Sequence, residues 1–574
     1  MQESWQARAA AKRADLFNRI PVAWRLPETY GARPTDVRSI PGTCGILSAR
    51  EICITDQDHI AKILERVRTF EWSAEEVTIA FCKRAAIAQQ LVSRSLSGYA
   101  LSDQWNGLIP QTSCLTEVLF DSAMKRAREL DKHLLRTGRV IGPLHGLPIS
   151  LKEQFNIAGV ESTMGFVSRI GHVSTESATM VQMLLSLGAV IHCRTNVPQT
   201  LLCDETINHI FGRVLNPWNT TLTAGGSSGG EAALLALKGS PLGIGTDLGG
   251  SIRKPASFCG LYSLRPTPGR LPYSGASNIF EGAEALESAC GPMARSRKSV
   301  EAFLKIIVGA KPWEWDAKVV ERKWRNDVEL AGEKKCFGTM RWDGLVRCHP
   351  PIERALDEVA VKLQAAGHEV VTWDPLDHAE AQEIVSRIFD SDGGEDVRQW
   401  LGESGEPILP QVFTSQHPAM TIHESWQLNK RRDAYRKLFL KTWLATKTRP
   451  GAMTDRPIDG IICPTAPHLA APHLESPRPA GLISYTTVWS LLGLPCYTFP
   501  VGVVDPEKDP MPSPNSYQAV SLMDEKNWRG YSPEVYENAP IVLQLVGPRK
   551  FAEDDLMDLS EDIEKALESR RCLR

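Results

Sequence analysis

The 574-residue sequence has little net charge, no long apolar run and no closely paired cysteines. Its 65 Lys and Arg residues nearly balance 68 Asp and Glu residues, for a formal net charge of -3. So small a charge creates no field that would gather nucleic acid or an anionic membrane. No uninterrupted apolar stretch reaches the ~20 residues of a transmembrane helix. At the N-terminus, residues 1–5 lead into a segment in which Ala alternates with Lys and Arg, and the apolar run of a signal peptide is not present there. We therefore expect a cytoplasmic protein with no nucleic-acid partner and no transmembrane segment.

The spacing of the cysteines and histidines argues against a C-x-x-C motif and against a metal site. None of the 13 cysteines forms a C-x-x-C pair. Cys193, Cys259, Cys463 and Cys496 lie in apolar segments typical of buried strands, so we expect reduced thiols in the core. No cluster of His, Cys and Asp has the spacing of metal ligands. Neither a metal nor an organic cofactor is expected.

Strand and helix patterns alternate through the middle of the chain. Residues 142–152 fit a turn followed by a strand, a helix from about Thr175 ends at Gly188, and residues 189–193 fit the next strand. Such alternation predicts an α/β fold in which helices cover both faces of a twisted mixed β-sheet. Residues 311–457 are rich in charge and Trp, and we expect them to be mostly helical.

The N-terminal part of the chain predicts a helical arm. Residues 4–20 fit an amphipathic helix, and we expect a helical extension over residues 1–74 that precedes one domain over residues 75–561. Residues 92–111 interrupt the helical pattern without a period of their own. They predict a surface loop insertion, with translated intron sequence as the alternative, and a helical pattern resumes at Ser113.

Two clusters of glycine and serine carry the candidate chemistry. Residues 225–230 read GGSSGG and residues 249–251 read GGS. Because glycine has no Cβ, the backbone N–H groups of such segments can approach a bound atom closely. The serines are either turn formers or nucleophiles, and for Ser228 we expect hydrogen bonding within the turn. Neither cluster contains a histidine that could act as the base.

Local patterns leave three alternatives for these clusters. Residues 225–229 satisfy the G-x-S-x-G pattern of α/β-hydrolases, but the polar, turn-like residues 216–221 stand where that motif needs a strand. Residues 251–254 satisfy the S-x-x-K pattern of β-lactamases, without the Ser-Asp-Asn partner. A phosphate-binding loop would end in Gly-Lys-Ser or Gly-Lys-Thr, whereas Glu231 would repel phosphate. A purely structural turn is the remaining alternative.

A longer span decides among these alternatives. Residues 224–266 resemble the hallmark of the amidase signature family of serine hydrolases from end to end. Residues 142–152, 194–198 and 216–218 match the family in order and spacing, and residues 115–117 are similar to its fungal acetamidase and fatty acid amide hydrolase branch. The resemblance implies the amidase signature fold, no cofactor, and hydrolysis of a small-molecule amide to a carboxylate and ammonia or an amine.

The same resemblance implies a Ser-Ser-Lys triad. Ser251 matches the nucleophile, Ser227 the bridging serine and Lys152 the base, with a cis peptide bond between Gly226 and Ser227. The backbone N–H groups of Leu248, Gly249, Gly250 and Ser251 are implied to form the oxyanion hole, and Leu201 and Ser227 are implied to line the acyl site. Burial at the end of an apolar strand can lower the pKa of a lysine from about 10.4 towards neutrality, and a neutral amine can accept a proton.

Three positions depart from the family's pattern. Glu153 stands where aspartate is common, and Ser490 and Gly493 stand where Asn and Asp are more frequent in a segment that we expect to line the pocket. Asp247 and Arg253 are expected to be structural, pairing with each other or orienting the loop, with an effect of Asp247 on the oxyanion site as the alternative. Because the triad is intact, the departures bear on which amide is cleaved. A glutaminase subunit of an amidotransferase and a pathway-specific amide hydrolase or amide-forming enzyme are the alternatives. The oligomeric state is open, with a homodimer as one alternative.

Overall fold

The computed structural model describes most of the chain. The described residues are 3–27, 35–91, 114–325, 332–415, 417–449, 452–473, 483–513 and 517–568. The insertion predicted at residues 92–111 lies outside these ranges.

One large mixed sheet organises the described residues. Two short hairpins, β4–β5 and β6–β7, lie outside it. The strands of the sheet and of the hairpins are, in chain order, β1 (Leu115–Val118), β2 (Pro148–Lys152), β3 (Val190–Thr195), β4 (Ile207–Asn208), β5 (Gly212–Arg213), β6 (Leu215–Asn216), β7 (Asn219–Thr223), β8 (Leu242–Asp247), β9 (Tyr262–Arg265), β10 (Ala289–Ala294), β11 (Cys336–Thr339), β12 (Glu369–Thr372), β13 (Gly460–Pro464), β14 (Cys496–Val503) and β15 (Pro540–Val546). The sheet has eleven strands in the order β1-β3-β2-β8-β10-β9-β14-β15-β13-β11-β12. Strand β2 is parallel to both of its neighbours, β3 and β8.

Helices flank this sheet. They are α1 (Trp5–Asn18), α2 (Ile40–Thr43), α3 (Ala49–Thr55), α4 (Ile60–Arg68), α5 (Ala74–Leu91), α6 (Phe120–Thr137), α7 (Thr179–Ser186), α8 (Gly229–Ala236), α9 (Arg253–Phe258), α10 (Arg297–Gly309), α11 (Pro350–Ala365), α12 (His378–Phe389), α13 (Glu395–Ser404), α14 (Ile422–Ala445), α15 (Ser484–Leu492), α16 (Leu522–Arg529) and α17 (Glu553–Glu568). The predicted α/β class with a mixed sheet is confirmed. The four cysteines predicted in the core are buried and free.

One prediction about elements was wrong and another was incomplete. The helical pattern expected from Ser113 begins only at Phe120, because residues 115–118 form β1, which pairs antiparallel with β3 at the sheet edge. A four-residue run has too few side chains to separate a helical from a strand period. For the same reason the mostly helical region at 311–457 also contains β11 and β12, which extend the other end of the sheet in parallel.

The predicted N-terminal helix is confirmed as α1, and buried polar contacts fix it to the body of the protein. The Ser4 hydroxyl caps the helix by accepting from the Ala7 N–H. Lys12 donates to a Glu117 carboxylate oxygen at 2.5 Å, and the Arg13 guanidinium donates to two backbone carbonyls of residues 209–210. The boundary predicted at residue 74 stays a prediction. Across the described ranges, every helix is too short or too polar to traverse a bilayer.

Candidate active site

Lys152 lies at the end of β2, where two parallel strands bring their carboxyl ends together. The register pairs Leu151 with Ile244 of β8, so the Lys152 side chain lies beside the last residues of β8. Its Nζ donates to Ser227 Oγ at 2.7 Å and to Thr246 Oγ1 at 2.8 Å. The structure therefore brings together two of the predicted triad residues, and Thr246 helps to orient the amine.

The environment of Lys152 favours a neutral amine. The side chain is 0% exposed. Burial lowers the pKa of Lys152 from 10.5 to about 7, although the charges of Asp247 and Glu231 act to raise it. An ammonium group loses its hydration when it is buried, so burial stabilises the uncharged amine relative to the ammonium. Lys152 is therefore poised to exchange a proton near neutral pH.

Ser227 lies in the glycine-rich turn between β7 and α8. The peptide bond between Gly226 and Ser227 is cis, as the resemblance implied. A Cβ at Gly226 would lie 2.2 Å from the Cys203 carbonyl oxygen, so only glycine fits there. The turn follows the short β6–β7 hairpin, which lies outside the main sheet. Residues 216–221, expected to be turn-like, belong to this hairpin, so that expectation was wrong. A strand does precede the serine turn, but unlike the strand of an α/β-hydrolase motif it does not belong to the main sheet.

Ser251 lies on the loop that connects β8 to α9, opposite the Ser227 turn. The Ser228 N–H donates to the Ser251 carbonyl oxygen at 3.1 Å, and the Ser228 hydroxyl donates to the Thr246 carbonyl at 3.3 Å. Ser228 therefore hydrogen-bonds to β8 and the Ser251 loop, and the expectation that its hydroxyl bonds within its own turn was wrong. Ser227 and Ser251 line the same cavity, but the hydrogen bonds of the described residues include none between their hydroxyls.

Asp247 fixes the Ser251 loop. Its carboxylate accepts from the backbone N–H groups of Gly250 at 2.8 Å and Ile252 at 3.1 Å. Arg253 donates to both carboxylate oxygens at 3.0 Å, and Arg265 lies 3.4 Å away. Burial acts to raise the pKa of the Asp247 carboxyl, but the charges of Arg253 and Arg265 hold this pKa well below its usual range. These contacts agree with the orienting role expected for Asp247 and Arg253.

The four predicted oxyanion-hole N–H groups differ in their partners. The Gly250 N–H is directed at Asp247. The N–H groups of Leu248, Gly249 and Ser251 donate to no acceptor within the described part of the chain. Gly250 has φ +137°, and a Cβ there would lie 2.6 Å from Thr486 Oγ1. Glycine is therefore needed at this position for backbone conformation and for space.

A cavity of about 610 Å³, counted with its open mouth, lies beside both serines. Its lining includes Leu201, Leu248, Gly249 and Gly250 of the predicted binding residues, further apolar side chains, and a charged pair formed by Lys254 and Asp204. The predicted acyl-site residue and the loop of the predicted nucleophile therefore face one space.

The expectation that Ser490 and Gly493 line the pocket was wrong. The Ser490 hydroxyl is buried on α15 and accepts from the Arg253 guanidinium at 2.9 Å. Gly493 ends α15 in a left-handed conformation with φ +70°. Neither lines the cavity beside Ser251. Glu153 does not line the cavity either. Its Oε1 accepts from the Thr163 N–H at 2.8 Å and from the Thr163 hydroxyl at 2.7 Å.

Sequence reasoning missed Glu231 as part of this site. Its carboxylate is fully buried on α8 and accepts from the hydroxyls of Thr195, at 2.6 Å, and Ser150. Burial raises the pKa of Glu231 to about 7. The signal was an acid at the head of the apolar run AALLAL, where a charge is unusual. In the residues that the structure covers, no cluster of three or more His, Cys, Asp or Glu could hold a metal ion.

Comparisons with known proteins agree on one family. The family model described as Amidase matches residues 99–557. The chain is 36% identical over 576 residues to an acetamidase of Emericella nidulans, covering 99% of both chains. It is 36% identical over 575 residues to an acetamidase of Aspergillus oryzae, covering 98% of this chain and 99% of the relative. A solved fatty acid amide hydrolase superposes with a TM-score of 0.87 and 31% identity, covering 98% of this chain and 95% of that one.

Proposed function

Because the chain belongs to the amidase family and is a hydrolase that acts on amide bonds, we propose that it cleaves a small carboxylic amide through Lys152, Ser227 and Ser251. The products are a carboxylate and ammonia or an amine. The observation that carries the proposal is the 2.7 Å hydrogen bond between the Lys152 amine and the Ser227 hydroxyl, in a site where burial lowers the pKa of Lys152 to about 7.

Acylation begins at Ser251. Its Oγ attacks the amide carbonyl carbon while its proton passes to the Ser227 hydroxyl, which passes its own proton to the neutral Lys152 amine. A hydroxyl can serve here because it donates and accepts at once. Hydrogen bonding to Thr246 Oγ1 at 2.8 Å orients the amine. A lysine that was already charged could not accept the proton, so burial is a condition of this step.

The tetrahedral intermediate then collapses. Negative charge on the former carbonyl oxygen is stabilised by the N–H groups of Leu248, Gly249 and Ser251. One donor of this kind typically contributes about 3 kcal/mol to the transition state. The proton returns from Lys152 through Ser227 to the leaving nitrogen, the C–N bond breaks, and an acyl-enzyme on Ser251 remains. Water attacks the ester in the same manner, which releases the carboxylate and restores the serine.

The acyl group occupies the cavity that Leu201 lines. The names acetamidase and fatty acid amide hydrolase belong to relatives, and both support an amide as the substrate of this chain. A cytoplasmic location and a homodimer stay predictions from the sequence.

The test is a set of single variants measured on purified protein. Ser251→Ala should abolish amide hydrolysis and labelling by a fluorophosphonate, and Lys152→Met should reduce both at least about a thousandfold, because only the uncharged base supports attack. Ser122→Ala, at an exposed hydroxyl in the first turn of α6, is the matched control and should keep normal rates. Undiminished labelling of Ser251→Ala would show that another residue is the nucleophile.

A further inference from the structure

Lys254 and Asp204 form a buried ion pair in the wall of the active-site cavity. Lys254 Nζ lies 2.9 Å from Asp204 Oδ2, and the two side chains are 2% and 10% exposed. Both residues line the cavity that holds Ser227 and Ser251. The proposed chemistry uses neither of them.

The pair lies between the two serine loops. The Lys254 N–H donates to the Gly250 carbonyl at 2.8 Å, and Lys254 lies in the first turn of α9, directly after the Ser251 loop. On the other side, a Cβ at Gly226 would lie 3.1 Å from the Asp204 carbonyl carbon, so Asp204 is packed against the turn of Ser227. An acyl group attached to Ser251 would therefore extend into a cavity whose wall includes this pair.

The remaining cavity wall is mostly apolar. Leu202, Phe280, Phe389 and Phe413 contribute to it. A hydrocarbon acyl chain that filled the space would remove the remaining water from both charges and return no hydrogen bond, which is unfavourable. A hydroxyl or carboxamide can donate to the carboxylate and accept from the ammonium at once.

We propose that Lys254 and Asp204 determine acyl specificity, and that the cavity takes acyl groups ending in a small group that both donates and accepts hydrogen bonds. Such a group donates to Asp204 and accepts from Lys254. Hydrocarbon acyl groups of equal size are poorer substrates. This inference rests on the proposed amide hydrolysis at Ser251.

The test compares two matched series of primary amides, ω-hydroxyalkanamides and alkanamides with the same number of heavy atoms. Ammonia is the leaving group throughout, so only the acyl side changes. For the wild type, kcat/KM should favour the hydroxy amide at least about tenfold at the length that reaches the pair, as expected when a site pairs a substrate hydroxyl. The double variant Lys254→Met/Asp204→Leu should reverse this preference.

Two controls distinguish polar recognition of the substrate by this pair from a purely structural role of the pair. Lys254→Gln/Asp204→Asn keeps donors and acceptors without charge and should keep the preference for the hydroxy amide. Lys238→Met breaks the partly exposed Lys238–Asp56 pair of 3.0 Å, neither residue of which lines the cavity, and should leave both series unchanged. If Lys254→Met/Asp204→Leu slows both series equally, the pair only holds the loops together and the inference is wrong.

The failures of the two proposals are distinguishable. If a fluorophosphonate labels Ser251 and the wild type shows no preference between the series, or hydrolyses neither, the nucleophile stands and the substrate class is wrong. If Ser251 is not labelled and no amide is cleaved, the proposed function fails and the specificity inference fails with it.

Discussion

The rate of Ser251 acylation should rise with pH through a midpoint near 7, because Lys152 must be uncharged to receive the proton. Burial lowers the pKa of Lys152 from 10.5 to about 7, which corresponds to about 5 kcal/mol against the charged form. At pH 7 about half of the molecules then hold a neutral amine, whereas an unperturbed lysine would be neutral in about one of 3000. Burial alone thus raises the population of the active base about a thousandfold.

The assay is kcat/KM for a primary amide from pH 5 to 9, measured together with the second-order rate of fluorophosphonate labelling. Both should fall about tenfold per pH unit below pH 6, since each unit removes nine-tenths of the neutral lysine. Labelling reports the serine alone, so agreement of the two profiles excludes a substrate or product step. A profile that is flat across this range, or one with a midpoint near 10, would refute the role of Lys152.

The lowered pKa of Lys152 also makes the free energy of unfolding depend on pH. Between pH 7 and 10.5 the unfolded chain binds a proton at Lys152 that the folded chain does not, so the free energy of unfolding rises with pH in this window. The buried lysine is therefore a penalty, present in full below pH 7 and removed as the pH approaches 10.5. Lys152→Met should lack this increment in urea titrations and should be no less stable than the wild type at pH 7.

Three further substitutions test the surroundings of the triad. Glu231→Gln removes a charge that raises the pKa of Lys152, so the acid limb of the rate profile should move to lower pH; a move to higher pH would contradict the coupling. Gly250→Ala places a Cβ against a side chain at φ +137° and should lower both Tm and kcat, whereas Gly309→Ala, in open space on α10, should lower neither. Asp247→Asn leaves buried guanidinium groups without their counter-charge and should cost about 3–5 kcal/mol in urea unfolding.

Some strands could be predicted from sequence, whereas the short strands at the two ends of the sheet could not. Strands β2 and β3 have five and six residues, and turn or helix-end signals before them make them recognisable. Strands β1, β11 and β12 have four residues each. Partners far away in the chain hold them in the sheet, and no local period reveals that pairing.

For the site, the contact between Lys152 and Ser227 was predictable and the charged pair in the cavity wall was not. Lys152 and Ser227 belong to segments whose motifs are legible in the sequence, and the structure joins them by a hydrogen bond. Asp204 and Lys254 are separated by 50 residues and by several elements, so no motif links them. Ser490 was assigned to the pocket because its segment resembles one that lines it, but the direction of a side chain on α15 depends on tertiary packing.

The site must hold the Ser251 loop in place and must also keep Lys152 uncharged. These two requirements conflict at Asp247, which is an acceptor for the loop and a negative charge near the lysine. The Ser251 loop needs an acceptor for its inward N–H groups, and Asp247 provides one to Gly250. A bare carboxylate so close to Lys152 would hold the lysine charged, and the charge of Asp247 does raise the pKa of Lys152. Two buried arginines, Arg253 and Arg265, offset that charge. Because they neutralise the carboxylate, it can fix the loop while burial still keeps the pKa of Lys152 near 7.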